Sequence, residues 1–285
     1  MSEYKKYNIN QQKAEIATIF KKRTGQNLDW ENLVTYNEKM QWAKLFDKNP
    51  LKTRLSDKYL VREWVENKIG SEYLIDLLGV WNNFEEIEFD ELPNKFVLKT
   101  TNASATNVIV HDKKKVKKIG LKFKFNRWLK SDHALLSFEL HYSDIQPKII
   151  AEKFINDSNN QLNDYRFLCF AGKPYYCTFD DGSHEGHHRN IYDMEWNIQD
   201  FQQGNFTNTE TQIPKPKNFD KMIEIATILS EGFPHVRVDL YNVDGKIYFG
   251  EMTFTNSSGF QLITPHKINE ELGQLWELPT EDIIE

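Results

Sequence analysis

Apolar residues recur at helical spacing along the first quarter of the chain. Ile16, Ile19 and Phe20, and then Met40, Trp42, Ala43 and Leu45, fall at separations that put each group on one helix face, so the stretch from Gln11 to about Trp81 reads as helical. Within it, LSDKYLVREWVENKIGSEYL starts at an N-cap candidate, Ser56 or Asp57, and Gly70 stands just past the last periodic residue. That pattern predicts a helix over 58–69. The helical section either completes a substrate site or only docks the core, and Lys58 and Arg62 on this helix read as a solvated face.

After Pro93 the spacing becomes that of strands. KFVLKTT and TNVIVHD are short β-rich runs joined by Asn102-Ala103-Ser104-Ala105, a small-residue connection of hairpin length. A helix-like KKIGLKFKFNRWLKSD follows, and then PKIIAEKFI, a buried strand that runs into a polar connector over 156–163. DYRFLCFAGKPYYCTFDD reads as two antiparallel strands turning at Ala171-Gly172-Lys173-Pro174. A helix over 219–231, with Asn218 as cap and Gly232 as stop, leads to a final hairpin, HVRVDLYNVDGKIYFGEMTFTN. The chain is therefore expected to be α+β, with a helical section over 1–90, a small subdomain over 91–155 and a C-terminal subdomain over 156–285.

The last hairpin carries the chemistry. Val236, Val238 and Leu240 alternate with Arg237, Asp239 and Tyr241, so one face of the strand is apolar and the other presents a cation and a carboxylate. A three-residue loop, Val243-Asp244-Gly245, pairs Asn242 with Lys246 and brings Asp239, Glu251 and Thr253 to one face, with Glu251 diagonal to Asp239 at roughly 7–8 Å between backbones. A two-residue Asp244-Gly245 loop places the two carboxylates on opposite faces. On the first register both reach one hard cation, and magnesium is the natural choice. The alternative is an edge strand with a solvated Arg237–Asp239 pair. Against it, Ile247, Phe249, Met252 and Phe254 flank the acids, and burying a carboxylate without a partner is costly.

Composition narrows the classes. At 285 residues, 39% hydrophobic and 13% aromatic, the chain can bury a substantial core, and a net charge of −6 excludes a general nucleic-acid binder, which needs a basic face. The start, MSEYKKYNINQQKAE, lacks a signal-peptide apolar core, and no apolar run approaches the roughly 20 residues that span a bilayer, so a cytoplasmic protein is expected. Cys169 and Cys177 lie in apolar strand runs and read as buried free thiols. Oligomeric state is left open.

The ordered set of a VLK strand with a small-residue loop, AEKFI, DYRF and VRVDLY…GKIYFGEMTF resembles the ATP-grasp superfamily, specifically the TupA-like group associated with teichuronopeptide, capsule or lipopolysaccharide biosynthesis. KMQWAKLFDKNPLKTRLSDKYLVREWV and IGSEYLIDLLGVW extend the resemblance over most of the chain. It implies an ATP-grasp fold, two α+β subdomains gripping ATP, and an ATP- and magnesium-dependent carboxylate–amine ligase working through an acyl phosphate. The carboxylate it implies belongs to a uronic acid or an amino acid, as a small molecule or on a glycan, with an amine as co-substrate.

By the same resemblance, Lys99 contacts ATP phosphates and 102–106 folds over the triphosphate, with Ser104 and Thr106 as nucleotide contacts and Ala103 and Ala105 at positions where glycine is expected. Glu152, Phe154 and Ile155 belong to the strand end that recognises adenine, and Asp164 accepts from the ribose hydroxyls or caps the following strand. Asp239, Glu251 and Thr253 hold magnesium, with Asn256 as the substitute for Thr253. Arg237, catalytic together with Lys99, stabilises the transferring phosphoryl group or an acyl phosphate. His188 and Arg189, in the polar stretch DDGSHEGHHRNIYD, are expected to flank the substrate.

Other classes compete with this reading. His184, His187 and His188 fit a metallohydrolase or a plain solvated loop. A glycosyltransferase or other polysaccharide-modifying enzyme on the same scaffold is a second rival. A non-catalytic nucleotide- or sugar-binding relative is a third, which the Ala103/Ala105 loop keeps open.

Overall fold

The computed structural model describes residues 7–132, 137–158, 162–180, 189–204, 206 and 213–279. Helix α1 (Ile9–Thr24) opens with a capping box in which the Asn8 side chain accepts from the Gln11 amide and Gln11 returns the bond, at 3.0 and 2.8 Å, and it closes on Gly25 at φ 74°. Helix α2 (Tyr36–Phe46) repeats the device with Thr35 and Glu38. Helices α3 (Leu51–Ser56) and α4 (Val61–Ile69) follow.

The helix predicted over 58–69 begins at Val61, because Asp57 Oδ1 accepts the amides of Tyr59 and Leu60 (2.7 and 3.1 Å) and shapes a turn there. Gly70, at φ 107°, ends it as expected. The helical pattern expected up to Trp81 also stops there. Leu77–Trp81 is strand β1, held by antiparallel pairing with a strand more than sixty residues later, a partner invisible to local periodicity.

The first sheet contains β1, β2 (Phe96–Thr100), β3 (Asn107–Val110) and β4 (Ile149–Lys153) in the order β1-β4-β2-β3, all antiparallel. Alternate residues Phe96 and Leu98, with Ile149 and Ala151, pack against Phe84 and against Phe125 of α5 (Lys118–Lys130).

The second sheet contains β5 (Asp164–Phe170), β6 (Lys173–Asp180), β7 (Arg189–Tyr192), β9 (His235–Val243) and β10 (Lys246–Thr253), in the order β10-β9-β5-β6-β7. A two-stranded ribbon of β8 (Gln202–Gln203) and β11 (Ile263–Thr264) and helices α6 (Phe219–Ser230) and α7 (His266–Gln274) complete the chain.

Each face of β9 has its own cover. Val236, Val238 and Leu240 are fully buried in one cluster with Phe219, Met222, Ala226 and Leu229 of α6 and Val61 and Val65 of α4. Each such side chain contributes about 1.5–3 kcal/mol. On the opposite face, α2 and α7 close one end. The His235 ring there donates from Nδ1 to the Cys169 carbonyl (2.9 Å), which leaves Nε2 to accept the Tyr36 hydroxyl at 3.0 Å. Trp276 packs on the same imidazole at 4.5 Å.

Cys169 and Cys177 are buried free thiols, and burial pushes Cys169 up to about 12. Asn218 makes no cap bond; its amide instead ties the start of α6 to the β9–β10 turn through Asn242 (2.7 Å) and the Gly245 carbonyl (2.9 Å). Among the described residues no helix is long and apolar enough to cross a membrane.

Candidate active site

The β9–β10 hairpin turns on two residues, Asp244 and Gly245, both at positive φ (50° and 90°), with Val243 paired to Lys246. The turn is thus the two-residue one, which by alternation alone would separate Asp239 from Glu251. A bulge between Phe249 and Glu251 inserts Gly250 and shifts the register by one residue. Asp239 therefore lies directly opposite Glu251, and Arg237 opposite Thr253. Nor is β9 an edge: it sits between β10 and β5, and Asp239 is buried.

Arg237 binds the pair together. Its Nε and one terminal nitrogen donate to both oxygens of Asp239 (2.7 and 2.6 Å), the same terminal nitrogen reaches Glu251 Oε1 at 3.0 Å, and the other donates to Asn256 Oδ1 at 2.6 Å. The Thr253 hydroxyl donates to Glu251 Oε1 at 3.0 Å.

Pairing continues the charge across the sheet. Arg166 is the β5 neighbour of Asp239, and Asp180 stands opposite both Asp164 and Arg189. Arg166 donates to Asp164 Oδ2 at 2.8 Å and to Asp180 at 2.5 Å, while Arg189 takes Asp180 in a two-pronged pair at 2.7 and 2.9 Å and lies over the Phe206 ring. Acids and bases alternate along a half-buried face, an arrangement that keeps each charge compensated.

The first sheet and the helical section form the facing wall. On adjacent strands, Lys99 of β2 pairs with Glu152 of β4 at 2.6 Å, and Arg62 of α4 takes the other Glu152 oxygen at 3.1 Å. Lys58 donates to the Ala103 carbonyl at 2.5 Å. The β2–β3 loop is pinned at its base, where the Thr100 amide donates to the Thr106 carbonyl at 3.0 Å and the two threonine hydroxyls meet at 2.7 Å. Ala105 holds φ 57°, the left-handed conformation that glycine adopts most easily, while Ser104 and Ala105 stay exposed.

Between the walls lies a cleft of about 300 Å³ lined by Lys58, Arg62, Lys99, Ser104–Thr106, Glu152, Asp164, Arg166, Asp239 and Glu251. Burial raises the Asp239 carboxyl, Arg237 pulls it back, and Asp164 and Glu251 add to the rise. Burial likewise raises Asp164 against Arg166. For Glu251 the charges of Arg237 and Lys58 outweigh burial and hold it below its ordinary range. Burial lowers the Lys58 ammonium, against the pull of Glu251.

Two carboxylate oxygens on residues that line this cleft are unused. Asp164 Oδ1 is buried with no partner, and Glu251 Oε2 accepts no hydrogen bond among the described residues. Hard oxygen donors beside three cations suit a magnesium-bound polyphosphate. No group of three or more metal-binding side chains occurs among the described residues, and magnesium held by one or two carboxylates plus substrate phosphate needs none.

Seven of the sequence-predicted site residues thus line one cleft: Lys99, Ser104, Thr106, Glu152, Asp164, Asp239 and Glu251. Arg237, Thr253 and Asn256 bond to these or to one another. Phe154 instead packs its ring against His111 at 5.3 Å, and neither it nor Ile155 lines the cleft. Arg189 joins the ion ladder through Asp180. His188, with His184 and His187, lies outside the described residues.

Sequence reasoning missed Lys58, Arg62 and Arg166. The signal for Arg166 was present, since Asp164-Tyr165-Arg166 alternates charge as Arg237-Val238-Asp239 does. Lys58 and Arg62 are four apart beside Asp57, but nothing local separates them from a solvated pair.

Residues 38–277 match the family model described as TupA-like ATPgrasp. Among solved structures, D-alanine–D-alanine ligase from Bacillus anthracis complexed with ATP is similar at 15% identity and a TM-score of 0.43, over 78% of this chain and 62% of that one. An ADP complex of N5-carboxyaminoimidazole ribonucleotide synthetase is similar at 14% and 0.43, over 79% and 52%, and D-alanine–D-alanine ligase from Helicobacter pylori at 15% and 0.41, over 79% and 61%. The chain spans between about half and two thirds of the length of these structures. No curated protein matches it.

Proposed function

The chain belongs to the TupA-like ATP-grasp family, and from that premise we propose that it is an ATP- and magnesium-dependent carboxylate–amine ligase. The observation that carries the proposal is the cleft in which the opposed pair Asp239 and Glu251 faces Lys58, Lys99 and Arg166. Acidic oxygens for a divalent cation and ammonium and guanidinium groups for phosphate, within one site, are what phosphoryl transfer requires.

Asp239 and Glu251 would hold magnesium, which when bound neutralises charge on the phosphates. Arg237 fixes both carboxylates in place. Lys99, oriented by Glu152, and Lys58 set positive charge against the phosphate oxygens, and the Ser104–Thr106 backbone closes over them. Arg166, shared between Asp164, Asp180 and Asp239, keeps the acids in register.

In the reaction so supported, a substrate carboxylate oxygen attacks the γ-phosphorus of ATP, and the bond to ADP breaks with ADP keeping the electron pair. An amine nitrogen then attacks the acyl carbon and loses a proton, while inorganic phosphate leaves with the electrons of the C–O bond. The product is an amide. A uronic acid or amino-acid carboxylate in bacterial cell-surface polysaccharide assembly is the substrate class that the family resemblance favours.

Thermal unfolding with and without Mg-ADP and Mg-ATP tests the reading, because a ligand that binds only the native state raises Tm. A magnesium-dependent rise that Lys99→Ala abolishes is expected. No rise at millimolar nucleotide overturns it.

A further inference from the structure

A second cavity, of about 530 Å³, lies on the other side of the small-residue loop. Ala103 and Ser104 belong to its wall as Ser104 belongs to that of the nucleotide cleft, and the rest comes from Arg23, Ser137, Glu139, Tyr142, Ser257, Ser258, Phe260 and Gln261. Asn256, which Arg237 holds at 2.6 Å, immediately precedes Ser257, so the backbone that leaves the paired carboxylates runs directly into this cavity. Ser257 and Ser258 both sit at left-handed φ, 49° and 56°, and Gln41 of α2 clamps them through the carbonyls of Ser258 (3.3 Å) and Gly259 (3.0 Å). Strain of this kind persists where the surroundings enforce it, commonly at ligand sites.

On the side of this wall made by Ser137, Ser257 and Ser258, the hydroxyls have already committed their protons. Ser137 and Ser258 donate to Glu139 Oε2 at 2.5 and 2.8 Å, Thr255 donates to Glu139 Oε1, and Ser257 donates to Gln261 Oε1 at 2.9 Å. A hydroxyl whose proton is spent offers only lone pairs, so this side of the wall accepts hydrogen bonds and selects a donor, while Ser104 and Tyr142, bonded to each other, complete the lining. Glu139 makes no ion pair among the described residues. Lys44 stands behind the wall, its ammonium on the Ser137 carbonyl (2.8 Å) and over the Phe260 ring (4.0 Å); burial brings it down to about 7, so at neutral pH it offsets only part of the Glu139 charge. At the rim, Arg23 from the last turn of α1 is exposed and forms no ion pair among the described residues.

We infer that this cavity seats the amine co-substrate, and that the co-substrate is an α-amino acid, or a derivative keeping a free ammonium and a carboxylate. The ammonium docks on the acceptor wall of Ser137, Ser257, Ser258 and Glu139, and the carboxylate on Arg23. The inference deepens the ligase reading and rests on it for the word co-substrate. The helical section, through Arg23, Lys58 and Arg62, then serves both ends of the reaction.

Calorimetric titration of the full chain with α-amino acids tests it, each compared with its N-acetylated form and its decarboxylated amine, and with Mg-ADP titrated in parallel. At least one amino acid is expected to bind about tenfold or more tightly than either derivative. Arg23→Ala should lower its affinity to that of the decarboxylated amine, and Glu139→Gln should weaken it, with Mg-ADP binding unchanged in both variants. Mg-ADP binding without any amino acid, equal binding of the N-acetylated form, or neutral monosaccharides binding in their place overturns the inference and leaves the ligase reading standing. Amino-acid binding with both variant effects but no Mg-ADP binding upholds the pocket and overturns the ligase reading.

Discussion

Glu251 faces Asp239 directly across the β9–β10 ladder, and it does so because Gly250 is bulged out of β10. The turn sets one register and the bulge sets another. Only after the second do both carboxylates share the Arg237 guanidinium, at 2.6 and 3.0 Å.

The bulge depends on the missing side chain. A Cβ on Gly250 would stand 3.0 Å from the Asp239 carbonyl oxygen and 3.3 Å from its carbon, and backbone cannot swing aside. Gly250→Ala is expected to destabilise the protein by about 1–3 kcal/mol and to weaken Mg-nucleotide binding, as read by denaturant unfolding and titration. Unchanged stability and binding would remove the bulge from the account of the site.

The two acids should fail differently. Glu251→Gln is expected to cut phosphate release on the order of 10²–10³-fold with little change in Tm, since Glu251 is half-buried. Asp239→Asn should lose comparable activity and also stability, because it leaves the Arg237 charge with less compensation, and breaking a buried pair costs about 3–5 kcal/mol. Equal melting temperatures for the two variants would contradict the burial difference.

Lys58 tests whether the helical section takes part in catalysis. Lys58→Met retains the aliphatic stem and is expected to lower turnover on the order of 10²-fold while the fold survives. Arg54→Ala, nearby but in an exposed pair with Glu63 at 2.7 Å, should change neither turnover nor stability measurably. A fully active Lys58→Met protein would return Lys58 to a structural role.

Acid should unfold the protein through its buried imidazoles. Burial lowers His235 and His141 from the usual 6.5 to about 3. The folded chain therefore binds these protons more weakly than the unfolded one, and their contribution is complete above about pH 6.5 and lost as pH falls toward 3. Each can remove up to about 1.4 kcal/mol per pH unit in that window. Denaturant midpoints between pH 7.5 and 4.5 should fall, and less steeply in the Tyr36→Phe, His235→Phe double variant, which removes both partners of that hydrogen bond. Parallel profiles would assign the acid sensitivity elsewhere.

Much of this protein was legible because it is local. Alternation marked β9 as apolar on one face and charged on the other, Gly70 closed its helix, and the small-residue connection between β2 and β3 formed the predicted hairpin. Ala105, read as occupying a glycine position, does hold a left-handed φ. The ordered motifs carried the family, while Asp239 and Glu251 were read onto one face through a three-residue loop and reach it instead by a two-residue turn and a bulge.

What local order could not decide was partnership. Strand β1 is a strand only because β4 accepts it, and a reading of helical period through Trp81 had no access to that neighbour. Whether Lys58 and Arg62 face water or a cleft depends on where the helical section docks, which the packing of Val61 and Val65 beneath α6 fixes. The meeting of Asp239 with Glu251 turned on one extra residue in β10, a register shift whose cause is the close approach of two backbones. Amino-acid type and spacing thus determined which charged and apolar groups this chain carries and on which faces of its elements they stand. Tertiary packing decided which faces meet, because register and docking are set by contacts between segments that are remote in sequence.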